Sequence, residues 1–371
     1  MIFTHPLVPL ALDLGAAEPG VRLRAVRQFV RQLPEPGFLE ELRHHRLTPL
    51  VYASLTRFPR SAVGKVPFLA ELRQDYLKHY QGYKLQERET LLLVGVLAAA
   101  GVEGILLKGG DIRHRLYDDP VCRPMGDVDI LICKRDLDKV RAALAACGYR
   151  LVAGDHERGP DFNRRFAWEE LYAPLAGIGA MFDIHWEIRK MGAFYRLPYA
   201  PLRARAKPMA NGWEGLLTLA PEHLLMNLCL NTLEEMEQAG VMKLVDLDRA
   251  LSRLPLDWEL FLEDAAAFHI QGALFAILKE MADLRPQAVP DWVLARLAAY
   301  VPGWIEKQIL QRREGSLLWA SLATLGRHLP LKDWPPFLWA KLWPDPSFIR
   351  IKYGSRLAYL RHLLRRTRDK T

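Results

Sequence analysis

The sequence predicts an α+β fold, a small mixed sheet with flanking helices set between an N-terminal and a C-terminal helical region. Three observations carry this expectation. Apolar residues recur at helical spacing up to about residue 95, the pattern changes to short β-like runs between about 96 and 210, and helical spacing returns from 211 to 371. These boundaries define three expected units: 1–95 helical, 96–210 an α/β core, and 211–371 helical with a basic terminal helix.

In the first unit, "VRLRAVRQFVRQL" and "FLAELRQDYLKHYQGYKLQERETLLLVGVLAAAG" place apolar residues every three or four positions, and Gly101 follows the last turn as a C-cap. The core then opens with "VEGILLKGG", a β-like run ending in Gly109 and Gly110, followed by a short helix over "DIRHRLYDD". "GDVDILIC" reads as a strand, "RDLDKVRAALAACGY" as a helix closed by Gly148, and "RRFAWEELYAP" and "MFDIHWEIR" as further strands. From Pro221 onward the segments "PEHLLMNLCLNTLEEMEQAG", "MKLVDLDRALSRL", "DWELFLEDAAAFHI", "GALFAILKEMADL" and "DWVLARLAAYV" each carry one apolar stripe.

Composition narrows the class. Half of the 371 residues are hydrophobic, enough to fill two or three compact domains. The N-terminal apolar run lacks a basic leader and contains Asp13, and no run of eighteen apolar residues is free of charge, so the expected location is the cytoplasm with no transmembrane segment. Four cysteines, at 122, 133, 147 and 229, show no metal-ligand spacing and read as reduced thiols. The net charge of +8 is concentrated at the end, where Arg350 to Thr371 hold eight Lys or Arg against one Asp.

The acidic residues of the core carry the chemistry. On a strand, Asp127 and Asp129 project to the same face while Val128 and Ile130 project to the other. Two adjacent carboxylates repel unless a cation lies between them, and Mg²⁺ is the hard cation that takes carboxylate and phosphate oxygens together. The same alternation in "FDIHWEI" puts Asp183, His185 and Glu187 on one face. If that strand lies beside the first, Asp183 completes a three-carboxylate cluster suited to two Mg²⁺ ions. In "LLKGGD", the bare backbone of Gly109 and Gly110 is a candidate phosphate cradle, with Lys108, Arg113 and Arg123 as candidates to balance triphosphate charge. Each feature has an ordinary counterpart: a lone D-x-D marks many solvated edge strands, paired glycines often make a plain turn, and single histidines are commonly structural. Their order along the chain is what gives them weight.

That ordered series resembles the uncharacterised nucleotidyltransferase family within the polymerase-β-like superfamily. The matching positions are Lys108 and Gly109, Leu116 and Tyr117, Arg123, Asp127 and Asp129, Gly148 and Tyr149, then Asp183 with His185 and Trp186. The resemblance implies a small mixed sheet and metal-dependent transfer of a nucleoside monophosphate from an NTP to a hydroxyl acceptor. It implies Asp127 and Asp129 as metal ligands, Asp183 as third carboxylate or base, Gly109 and Gly110 as the phosphate turn, and His185 among the nucleotide contacts. Many superfamily members have Gly-Ser at that turn; here Asp111 follows the glycines, and an inward-facing Asp111 would weaken triphosphate binding.

The acceptor, whether small molecule, protein or RNA, stays open. Two alternatives stand beside the transferase reading: a toxin-like enzyme that adds nucleotides to tRNA, and a catalytically silent nucleotide-binding scaffold in a biosynthetic pathway. "SRLAYLRHLLRRTRDK" places Leu357, Leu360 and Leu364 among Arg356, Arg361, Arg365 and Arg368, a basic amphipathic helix that either packs on the body or contacts an anionic surface.

Overall fold

A computed structural model describes the chain apart from residues 1, 17, 32–36, 67, 153–165, 192, 210–212, 214, 237–239, 312–329, 345 and 362–371. The α+β expectation holds. Short helices lead into a 31-residue helix, Leu69–Ala99, and Gly101 ends it in the left-handed region at φ 66°, where a side chain would be strained.

Among the described residues nine strands follow: β1 (Gly104–Leu106), β2 (Asp127–Ile132), β3 (Tyr149–Leu151), β4 (Glu169–Pro174), β5 (Met181–His185), β6 (Ile188–Lys190), β7 (Tyr195–Leu197), β8 (Lys207–Pro208) and β9 (Leu216–Thr218). Seven of them form a mixed sheet in the order β3-β4-β5-β2-β1-β9-β8, while β6 and β7 make a separate two-stranded ribbon. The sheet thus extends past residue 210, through β9 at 216–218.

The central pair β2 and β5 is parallel, and β1 and β4 flank it in antiparallel fashion. Both faces of the centre are covered, which explains the near-continuous apolar run of β2. Val128, Ile130 and Ile132 pack with Phe182, Ile184 and with Leu137, Val140 and Leu144 of the Leu137–Ala146 helix. On the opposite face Leu131 and Ile105 join a larger core shared with the helices from both ends of the chain, including Leu224, Leu244 and Leu274. Each of these leucines is essentially inaccessible, a burial of roughly 2 kcal/mol apiece.

The C-terminal helices fall where the apolar stripes put them: Pro221–Glu234, Met242–Arg253, Trp258–Ala267, Gln271–Leu284 and Asp291–Ala298. Among the described residues no helix is long and apolar enough to cross a membrane.

Candidate active site

The parallel register of β2 and β5 sets Asp129 opposite Asp183 and Leu131 opposite His185. All four side chains therefore share one face with Asp127. His185 sits at the centre: its Nε2 lies 2.9 Å from Asp129 Oδ1 and 3.1 Å from Asp183 Oδ2, and its Nδ1 lies 3.1 Å from Glu169 Oε2. The ligand atoms of Asp129, Asp183 and His185 all fall within 4.8 Å of one another, while Asp127 stands two residues earlier on the same strand and outside that group.

Lys108 supplies the other positive charge. Its ammonium pairs with Asp129, whose side chain is 5% exposed, from a backbone in the left-handed region at φ 44°. A lysine held there is strained, and such strain collects at functional sites. Burial disfavours charge on every member of the cluster, but the opposite charges prevail for three of them. Lys108 is raised by Asp129 and Asp183, His185 is raised well above the usual imidazole range by Asp183 and Asp129, and Asp129 is held well below the carboxylate range by Lys108 and His185. Asp127 goes the other way: burial, then repulsion from Asp129, pushes it up to about 6.

The residues suit a hard divalent cation. Asp183 Oδ1 is buried and makes no hydrogen bond among the described residues, an acceptor left open beside two further carboxylates. A second cluster, His5, Glu41 and His45, suits one less well. Its two imidazole Nε2 atoms already meet each other at 3.1 Å and that of His5 lies 3.3 Å from Glu41 Oε1, and no atom of the cluster is a buried acceptor left without a partner among the described residues.

The glycines are placed differently from the expected turn. The helix begins at Lys108 and runs to Arg115, so Gly109 and Gly110 lie within its first turn and the short helix starts three residues earlier than "DIRHRLYDD" suggested. A Cβ on Gly110 would press at 3.0 Å on Leu106, and one on Gly109 would meet Met125 at 3.2 Å, so close packing requires both. Asp111 is buried and held by Arg115 at 3.0 Å and the Thr218 hydroxyl at 2.7 Å, which removes it as a repulsive neighbour of phosphate.

Arg113 and Arg123 are committed to protein partners. Arg113 donates to Gln86 and to the Arg123 carbonyl, and Arg123 forms a buried fork with Asp246 at 2.8 Å. Glu187 leaves the acidic row, because β5 ends at His185 and the chain turns into the β6–β7 ribbon; its carboxylate binds Arg189 and Arg196. Glu169 is the member that strand alternation within β2 and β5 missed, since it enters from β4, paired opposite His185. Its one visible sign was a pair of glutamates inside an otherwise apolar strand. Of the basic tail, Arg356 stacks over Trp343 at 4.2 Å, Arg361 is exposed, and Leu357 and Leu360 are exposed rather than packed; Leu364, Arg365 and Arg368 lie outside the described residues.

Residues 35–286 match a family described as uncharacterised nucleotidyltransferase, and that span contains the whole sheet and every member of the acidic cluster. The chain belongs to this nucleotidyltransferase family. Searches of the curated proteins and of the solved structures each found no match. Family membership supports nucleotidyl transfer in general, and a candidate acidic cluster, Asp129 and Asp183 with His185, lies within the matched span.

Proposed function

We propose that this nucleotidyltransferase moves a nucleoside monophosphate from an NTP, ATP among the candidates, to a hydroxyl of its acceptor in a Mg²⁺-dependent reaction in the cytoplasm. The observation that carries the reading is the register of β2 with β5, which brings Asp129 and Asp183 side by side with a buried, unpartnered carboxylate oxygen. Asp127, Asp129 and Asp183 would hold a divalent cation, whose chemistry there would be to offset the negative charge that grows on the leaving pyrophosphate.

This chain's own residues do the rest. Through Oδ1, buried and without a partner among the described residues, Asp183 would serve either as the third ligand or as the base that takes the proton of the attacking hydroxyl. The acceptor oxygen then bonds to the α-phosphorus as the bond to pyrophosphate breaks. Lys108, at the N-terminus of the Lys108–Arg115 helix, would exchange its contact with Asp129 for triphosphate oxygens, beside the backbone N–H groups of Gly109 and Gly110. His185, fixed between Asp129, Asp183 and Glu169, holds the carboxylates in register. The basic tail, through Arg356, Arg361, Arg365 and Arg368, would offer an anionic acceptor a surface contact.

One observation favours the nucleotide-binding scaffold. Lys108 and His185 both face the carboxylates, so the chain itself supplies basic partners for them. Incubation of the protein with α-labelled NTPs, Mg²⁺ and separate tRNA, protein and small-molecule fractions separates the readings. Transfer to one fraction, lost in Asp129→Asn, supports the enzyme, and label in tRNA identifies the toxin-like case. Retained NTP binding without label in any fraction supports the scaffold.

A further inference from the structure

We infer that the chain carries a second anion-binding site, remote in sequence from the acidic cluster, that takes a phosphate dianion, free or as the head of a phosphomonoester. The helices Leu7–Gly15, Pro19–Arg31, Thr48–Thr56 and Met242–Arg253, with the Asp118–Cys122 segment, surround a cavity of about 310 Å³, part of it continuous with solvent. Arg22, Arg57 and Arg249 line it together with Asp118 and Ser54. None of Lys108, Asp127, Asp129, Asp183 or His185 does.

The guanidinium groups lack matching negative charge. Arg22 is 5% exposed, yet its Nε and Nη2 donate to the neutral carbonyl of Ala16. Arg249 is 4% exposed; its Nη1 donates to the Leu116 carbonyl, its plane lies 4.0 Å from the Tyr117 ring, and its Nε is buried with no acceptor among the described residues. Arg57 and Arg253 share the single carboxylate of Asp118, at 3.2 and 3.0 Å. Asp119 also lines the cavity, but its oxygens accept from the Tyr76 hydroxyl and the Val121 N–H.

Three lining arginines, Arg22, Arg57 and Arg249, thus meet the two lining carboxylates of Asp118 and Asp119, and Arg22 and Arg249 are withdrawn from water; Asp248, outside the lining, also acts on Arg249 and is itself paired with Arg285. Buried charge of one sign is unfavourable without a counter-ion, and an unbonded buried N–H adds to the deficit. Burial and then the neighbouring Arg57 lower Arg22 below the ordinary guanidinium range, as expected where like charges converge. Forked guanidiniums match a tetrahedral oxyanion, which would accept from the guanidinium groups that line the cavity and neutralise the excess.

The test uses the full-length protein and calorimetric titration with inorganic phosphate in chloride at matched ionic strength, with glycerol 3-phosphate in a parallel arm. The expected result is saturable, one-site binding that Arg57→Gln weakens about tenfold and Asp127→Asn leaves unchanged. Arg57 is half exposed, so the substitution preserves the fold, and Asp118 keeps Arg253 as partner. Tighter binding of glycerol 3-phosphate assigns the site to an ester, and binding of inorganic phosphate alone assigns it to the free ion. No saturable binding, unaltered affinity in Arg57→Gln, or loss of binding in Asp127→Asn would each overturn the inference; none of these bears on nucleotidyl transfer itself.

Discussion

Replacing Lys108 by Met keeps the aliphatic stem and removes the ammonium from the acidic cluster. Asp129, 5% exposed, then faces Asp127, Asp183 and Glu169 with His185 as the nearest cation. Breaking a buried ion pair from one side costs about 3–5 kcal/mol. Unfolding entropy near 2.1 cal/mol/K per residue gives roughly 0.8 kcal/mol/K for a chain of 371 residues, so the melting temperature should fall by about 4–6 °C. If the carboxylates hold a divalent cation, Mg²⁺ takes over the missing charge. At a hundredfold excess over its dissociation constant it returns about 2.7 kcal/mol, or roughly 3 °C, and the wild type gains less because its ammonium competes. Melting followed by circular dichroism, with chelator or with Mg²⁺, reads both effects. An equal drop in the two conditions, or an equal Mg²⁺ shift in wild type and variant, would refute the reasoning.

Three other outcomes are expected. Asp183→Asn should lower nucleotidyl transfer about a hundredfold and also lower the chelated protein's melting temperature, because buried His185 loses a counter-charge, measured by label transfer and thermal melts. Arg123→Met should destabilise by about 3–5 kcal/mol, because Asp246 is left buried without its cation and with only the Tyr117 hydroxyl bonded to it, yet keep the Mg²⁺-dependent shift in melting temperature. His45 is 7% exposed and is lowered from 6.5 to about 4 by burial and then by His5. A depressed imidazole means that the unfolded chain binds the extra proton between these values, so the stabilisation is complete above pH about 6.5 and is lost as pH falls toward 4. His45→Asn, which keeps an acceptor for the Val241 N–H, should flatten this acid limb by up to about 3 kcal/mol in melts from pH 4 to 7.

Period and composition carried much of the fold into view. The stripes of "PEHLLMNLCLNTLE" and "MKLVDLDRALSR" are helices because one face of each must be apolar to join the shared core. Asp127 and Asp129 were legible as one face because alternation on a strand is fixed by local geometry. Pairing between distant strands is not local, so whether Asp183 would meet Asp129 required the β2–β5 register, and Glu169 required that of β4 with β5. Glu187 was misplaced for a related reason. Nothing in "HWEI" marks the strand's end at His185, where the chain leaves β5 for the β6–β7 ribbon. The early start of the Lys108 helix was hidden by two glycines that ordinarily signal a turn, whereas here they admit Leu106 and Met125 at close range.

The acidic cluster as a divalent-cation site is tested most directly by anomalous diffraction from crystals grown with Mn²⁺ and a non-hydrolysable NTP analogue. The expected result is a Mn²⁺ peak coordinated by Asp129 and Asp183, with Lys108 drawn away toward the triphosphate. A peak at His5, Glu41 and His45 instead, or none with Lys108 still on Asp129, would contradict it.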